Sequence, residues 1–248
     1  MSEQNAFSRT AALLGADAME RLHAARVAVF GVGGVGGYVV EALVRSGVGT
    51  VDVFDKDEVS TTNLNRQIIA LHSTIGQDKV HVIAARMRDI NPEAIINERR
   101  MFYLPENADE IDLTQYDFVV DAVDTVAAKI ELAVRCERLG VPLIAAMGAG
   151  NKLDPSMLRI SDIYKTSVCP LARAMRTTLR KKGVKHLTVA WSAEETLRPA
   201  HPIDGESPTG SRKDVPASAA FVPSAMGLLI ASHVVRRLSE GERSKKIF

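Results

Sequence analysis

The seven residues from Gly31 to Gly37 read Gly-Val-Gly-Gly-Val-Gly-Gly, and Gly31, Gly33 and Gly36 fall on the spacing G-x-G-x-x-G. Glycine admits positive φ and, having no Cβ, lets the backbone approach a phosphate closely. If such a loop opens a helix, the unpaired N–H groups and partial positive charge of the helix terminus point at an anion. Asp55 stands 19 residues after Gly36. That is where a carboxylate at the end of the next strand can accept hydrogen bonds from ribose hydroxyls. Asp57 competes for the same role. The pattern alone suits any adenosine cofactor.

The residues that follow narrow it. Asn63-Leu-Asn65-Arg66-Gln67, then Gly76-Gln77-Asp78-Lys79, then Asp121-Ala-Val-Asp124 come in that order along the chain. A hydride-transfer site has no triphosphate to neutralise, whereas ATP does. Arg66 can grip phosphate oxygens in a fork and Lys79 can act on them as a point charge. Asn63 can donate from its amide. Asp121 and Asp124 close a strand at the edge where open α/β sheets bind ligands. Asp124 can hold Mg²⁺, which takes oxygen ligands and bridges phosphates. Each of these side chains alone reads as surface charge. Together, behind Gly31, Gly33, Gly34 and Gly36, they read as an ATP site.

The elements that must position these residues are legible. Arg26–Phe30 is a short β-branched run, expected as a buried parallel strand. The glycine loop leads into a helix over Val35–Ser46, stopped by Gly47-Val-Gly49. Val51–Phe54, Ala94–Arg99, Phe118–Asp121 and Leu143–Met147 are further strands, alternating with helices at Asp78–Asn91 and Ala127–Leu139. Such alternation predicts an α/β fold: a Rossmann-like, doubly wound, mostly parallel sheet with helices on both faces. Ahead of it, Ala11–Ala25 reads as one amphipathic helix with Leu13, Leu14, Met19 and Leu22 as its apolar positions. Residues 1–150 form the nucleotide-binding part. Residues 151–248 are its smaller C-terminal extension, with strands at Met157–Ile163 and His186–Ser192, a basic helix at Pro170–Lys182, a loop at Pro199–Ala217, a closing helix at Pro223–Leu238 and a charged tail over Glu240–Lys246.

Composition sets the outer bounds. Of 248 residues 46% are hydrophobic and 25% charged, with 31 basic against 30 acidic side chains. A net charge of +1 gives no global field for nucleic acid, so local clustering must supply any such surface. The two cysteines, Cys136 and Cys169, are too few for a Cys-rich zinc site or a disulfide framework. His72, His81 and His186 are scattered and suggest no metal site. The N-terminus lacks the pattern of a signal peptide, and no apolar run reaches membrane-span length. A soluble, cytoplasmic protein with free thiols is the expectation, without a membrane.

The runs GVGGVGG, FDKDEV, NLNRQ, GQDK, INP and DAVD resemble the ThiF/MoeB/HesA superfamily of adenylating domains, related to ubiquitin-activating enzymes. The resemblance covers roughly residues 7 to 150. It implies activation of a carboxylate by attack on the α-phosphate of ATP, giving an acyl-adenylate and pyrophosphate. It further implies that Asp55 binds ribose, that Asn63, Arg66 and Lys79 bind phosphates, and that Asp124 positions Mg²⁺. Arg9 matches an arginine that reaches the triphosphate of a neighbouring subunit, which implies a homodimer.

Members that activate sulfur-carrier proteins usually carry two zinc-binding CxxC pairs, which this chain lacks. Its second half has instead Arg173, Arg176 and Arg180 at i, i+3 and i+7, one face of a helix, extended by Lys181, Lys182 and Lys185. An RNA backbone suits such a stripe. With FSRTAALLG, AAMGAGNKLDP and the W-S-x-E segment, the sequence resembles the tRNA threonylcarbamoyladenosine dehydratases. This second resemblance implies ATP-dependent activation of the threonyl carboxylate of a modified adenosine in tRNA. Ring closure by the substrate's own nucleophile follows, with loss of water and release of AMP and pyrophosphate. A sulfur-relay partner remains open on the same grounds. Cys169, just before a helix, is a candidate nucleophile, because a helix terminus can lower a thiol's pKa. The alternative is that it packs, as Cys136 is expected to. Three other readings stand beside this one: an adenylyltransferase for the C-terminal glycine of a ubiquitin-like sulfur carrier, an oxidoreductase using the glycine loop and Asp55, and a non-catalytic nucleotide-binding partner.

Overall fold

A computed structural model describes residues 5–201 and 216–240 of the chain. Seven strands form one sheet: β1 (Arg26–Phe30), β2 (Thr50–Phe54), β3 (Ile95–Arg99), β4 (Phe118–Asp121), β5 (Leu143–Ala146), β6 (Leu158–Asp162) and β7 (Thr188–Ser192). Their order is β3-β2-β1-β4-β5-β7-β6. The first six in that order pair in parallel, and β6 closes the edge antiparallel to β7. The doubly wound sheet expected from the sequence is therefore present. The chain beyond Gly150 adds β6 and β7 to that same sheet.

Successive side chains of a strand face opposite sides, and here both sides are covered. Val27, Val29, Val51 and Val53 pack under helices α2 (Ala16–Ala24), α3 (Gly36–Arg45), α4 (Lys79–Ile90) and α7 (Phe221–Glu240). Ala28, Phe30 and Val119 face α5 (Val126–Leu139), whereas Ala145 and Val189 face the cluster that includes α6 (Pro170–Lys181). Burial on both faces explains why β1 and β4 are continuous apolar runs rather than alternating ones. Gly227 lets α7 lie directly on α3: a Cβ there would stand 2.4 Å from the carbonyl oxygen of Val35.

The N-terminal helix expected over Ala11–Ala25 is two helices, α1 (Ser8–Leu14) and α2, separated by Gly15 at φ 90°, ψ 162°. A helical spacing of apolar residues continues through the break, but the backbone does not. Leu13 is 83% exposed, so it does not belong to the core face assigned to it. Most of the expected Pro199–Ala217 loop, and the tail after Glu240, lie outside the described residues. Among those described, no helix is long and apolar enough to cross a membrane.

Candidate active site

The glycine loop leaves β1 at the point where the sheet's connections diverge, between β2 on one side and β4 on the other. Open α/β sheets bind ligands at this crevice. The glycines divide the work. Gly31 has φ +87°, and a Cβ on it would lie 2.6 Å from the carbonyl oxygen of Ala122. A Cβ on Gly36 would lie 1.8 Å from the carbonyl of Gly31. These two let the loop fold on itself and against the end of β4. Gly33 and Gly34 border, with Gly31, a cavity of about 460 Å³, and the nearest atom to a Cβ on Gly33 would be Gln67 Nε2 at 3.8 Å. No side chain caps the N-terminus of α3; the N–H groups of Gly37 and Tyr38 donate to the carbonyls of Gly33 and Val35, each at 3.1 Å, and the helix terminus turns its partial positive charge toward the loop.

Of the residues singled out from the sequence, Gly31, Gly33, Gly34, Asp55, Asp57, Arg66, Lys79 and Asp124 line this cavity together. Asp55 accepts from the N–H of Val32 at 2.7 Å and from the N–H of Asp57 at 2.9 Å. A carboxylate has about four acceptor sites, so it can brace the loop and still receive hydroxyls. Lys79, the first residue of α4, is 6% exposed; its Nζ lies 3.2 Å from Asp57 Oδ2. Asp57 thus holds the ammonium at the cavity wall. Arg66 packs its stem beside Gly34 and donates from Nη1 to the Thr62 carbonyl and Asn65 Oδ1, each at 2.9 Å. Asp124 is exposed, with Thr125 Oγ1 3.3 Å from its Oδ1.

Gly36, Asn63, Asp121 and Arg9 do not line the cavity. Asn63 is buried, and its Oδ1 accepts from the Ser60 N–H at 3.1 Å, closing the turn that leads to Arg66. Asp121 is fully buried and bonded to Lys129 Nζ at 2.9 Å. Burial pushes its carboxyl above the usual carboxylate range, against the pull of the Lys129 ammonium. Asp121 is scaffolding for the turn that carries Asp124; Asn63 braces its turn through Oδ1 alone. Arg9 is exposed on α1.

The cavity has walls that the motifs did not announce. Met101, Phe102 and Tyr103, just after β3, close one side. The Lys56 ammonium sits 3.8 Å from the Phe102 ring centroid, and Phe30, stacked on Phe54 at 4.2 Å, meets Tyr103 edge-on. The signal available was an apolar triplet outside any strand pattern. On the opposite side, Pro216, Ser218 and Pro223 border the cavity beside Gly150. Asn151, at φ 57°, exchanges two 2.7 Å bonds with Ala217: its N–H donates to the Ala217 carbonyl, and its Oδ1 accepts from the Ala217 N–H. Asn65 Nδ2 donates to the Ser218 carbonyl at 2.9 Å. These bonds tie the segment entering α7 over the site.

Two expectations for the second half need correction. Arg176 does not join Arg173 and Arg180 on an open face. Its guanidinium turns inward and bonds to Thr166 Oγ1 and, at 3.1 Å, to the Thr166 carbonyl. Arg173, Arg180 and Lys181 are exposed, Arg180 with its guanidinium 5.1 Å from the Tyr164 ring centroid. Cys169 immediately precedes α6 but is only 3% exposed, packed with Ile163, Ala172, Met175 and Met147. A nucleophile must reach its electrophile, and this thiol is placed as a core side chain. Cys136 is buried too, and burial pushes its thiol up to about 12.

A doubly wound sheet whose uncapped glycine-loop helix meets Arg66, Lys79 and Asp124 at the divergence point defines a nucleotide-binding α/β protein. The ThiF family model matches residues 7–247, and the chain belongs to that family. It is similar to the tRNA threonylcarbamoyladenosine dehydratase of Bacillus subtilis, with 42% identity over 97% of each chain. It is also similar to the enzyme of that name from Escherichia coli, with 33% identity over 94% of this chain and 92% of the relative. The crystal structure of the E. coli tRNA N6-threonylcarbamoyladenosine dehydratase in complex with ATP superposes with a TM-score of 0.85, at 32% identity and 96% coverage of each chain.

Proposed function

We propose that this protein is an ATP-dependent tRNA threonylcarbamoyladenosine dehydratase. ATP lies in the glycine-loop cavity, with its ribose on Asp55 and its phosphates between the α3 N-terminus, Arg66 and Lys79. The threonyl carboxylate attacks the α-phosphate and pyrophosphate departs. The substrate's own nucleophile then attacks the activated carbonyl, the ring closes and AMP leaves. The balance is one water lost from the nucleoside, with ATP converted to AMP and pyrophosphate. No enzyme thiol is needed, in keeping with the burial of Cys169.

The observation that carries this reading is the convergence of Arg66 and Lys79 on the cavity of the glycine loop. The names of the near-full-length relatives support the choice of carboxylate. Asp124 fits Mg²⁺, because it offers one exposed carboxylate at the cavity rim and Mg²⁺ takes one or two carboxylates when phosphates supply the rest. The ion would neutralise charge on the phosphates. Arg9, exposed on α1, serves the site of a second copy in a homodimer. The exposed cations of α6 contact the tRNA backbone, and the enzyme works in the cytoplasm.

Incubation with ATP, Mg²⁺ and tRNA bearing the threonylcarbamoyl group should lower the mass of the modified nucleoside by one water. Pyrophosphate release without that loss overturns the assignment. Exchange of pyrophosphate into ATP that depends on a ubiquitin-like carrier, and not on tRNA, would make the chain a carrier-activating enzyme instead.

A further inference from the structure

Lysine is almost never fully buried unless paired, yet Lys129 is 0% exposed on the inner face of α5. Its ammonium donates to Asp121 Oδ1 at 2.9 Å and to the carbonyl of Val123 at 3.1 Å. The same Oδ1 accepts from the N–H of Val123 at 3.2 Å. Asp121, Val123 and Lys129 thus close a ring of bonds around the turn between β4 and α5.

Stability alone gives little reason for this ring. A buried ion pair is a poor stabilising device, since apolar side chains of similar volume usually hold two elements together as well or better. Here Asp121 Oδ2 is also buried without a hydrogen-bond partner, a cost an apolar pair would not carry. Apolar side chains, however, could not bond both backbone groups of Val123. The turn they fix, Ala122 to Thr125, is a wall of the nucleotide cavity. Its Ala122 N–H donates to the Phe30 carbonyl at 2.8 Å. Its Ala122 carbonyl presses so closely on the glycine loop that Gly31 has no room for a Cβ. Asp124 is carried on the same turn.

We infer that Lys129 is a positioning residue for the nucleotide reaction: acting through Asp121 and Val123, it sets the turn that backs the glycine loop and presents Asp124 to the cavity. The inference rests on the nucleotide reading of that cavity.

The test compares Lys129→Arg, Asp121→Asn and the double variant Asp121→Leu with Lys129→Met. The double variant removes both charges and keeps apolar bulk in their place. Three quantities are measured well below the melting temperature of each folded variant: ATP affinity by calorimetry, kcat for tRNA-dependent pyrophosphate release at saturating ATP, and the thermal midpoint. Misplacement of reacting groups by about 1 Å costs on the order of 100-fold in rate. The double variant should therefore lose about 10–100-fold in kcat and bind ATP more weakly while its midpoint stays near the wild-type value. Lys129→Arg, which keeps a charged donor with several N–H groups, should recover most of the loss. Wild-type kcat and ATP affinity in the folded double variant would overturn the inference and leave the pair a structural one. If that variant does not fold, Asp121→Asn decides by the same two readouts, with reduced kcat and affinity expected and unchanged values overturning. A wild-type protein that binds ATP but releases no pyrophosphate with tRNA sinks the substrate reading alone, and the ATP-affinity arm still judges Lys129.

Discussion

Lys79 shows what one side chain can be asked to do. Its ammonium is nearly buried and leans on a half-exposed Asp57 carboxylate. That pair is exposed enough on one side to contribute little to stability. Its place at the cavity wall gives it more to do once phosphates arrive. A charged hydrogen bond is worth about 1.5–3 kcal/mol, so Lys79→Ala should weaken ATP use by about 10–100-fold with a small change in thermal midpoint. The ATP dependence of pyrophosphate release checks this, and an unchanged curve would remove Lys79 from the site. At this scale the sequence was informative where residue type and order suffice, as for Arg66, Lys79 and Asp124. It was misleading where the local partner decides. Asp121 carries the right group, but Lys129 already engages it. Cys169 has the right position before a helix, but the packing of α6 covers it.

Between residue and fold, the glycines of the turns separate two effects that sequence cannot distinguish. Gly76 and Gly31 both have positive φ, +83° and +87°, but a Cβ on Gly76 meets open space whereas one on Gly31 meets the Ala122 backbone. Gly76→Ala should cost about 1–2 kcal/mol for the left-handed conformation alone. Gly31→Ala adds overpacking against an adjacent turn, typically about 1–3 kcal/mol more. Urea unfolding of the two variants measures the difference, and equal losses would mean that the β4–α5 turn yields freely. The expected helix and strand positions of the Rossmann-like unit agree with the structure to within a residue or two at most ends. Long apolar runs bounded by glycine, proline or an acidic residue leave few alternatives. The N-terminal helix failed because the apolar period is indifferent to Gly15, whose extended ψ ends one helix and begins another.

The whole molecule brings the exposed cations of α6, the nucleotide cavity and α7 into one body. Changing Arg173, Arg180 and Lys181 together to Glu should weaken tRNA binding and reduce its salt dependence, by about 0.7–0.9 in the log–log slope for each phosphate no longer neutralised. ATP affinity should not change. Equal tRNA affinity in the variant would place the RNA elsewhere. Arg176 is left out of that set because it bonds the 163–166 turn, so its loss would confuse binding with folding. The sequence by itself determined the βαβ frame, the phosphate loop and the cations that follow it, because backbone freedom, apolar periodicity and charge are properties of residues near one another in the chain. Only the tertiary structure decided which groups share the cavity: Phe102 and Lys56 against it, Pro223 and Ser218 over it, Arg176 bonded to Thr166 and Cys169 packed in the core, and Lys129 beneath the turn that carries Asp124. Those outcomes depend on the meeting of segments distant in sequence, where burial and hydrogen-bond partners are set by the packing of the sheet and its helices, not by the order of the residues alone.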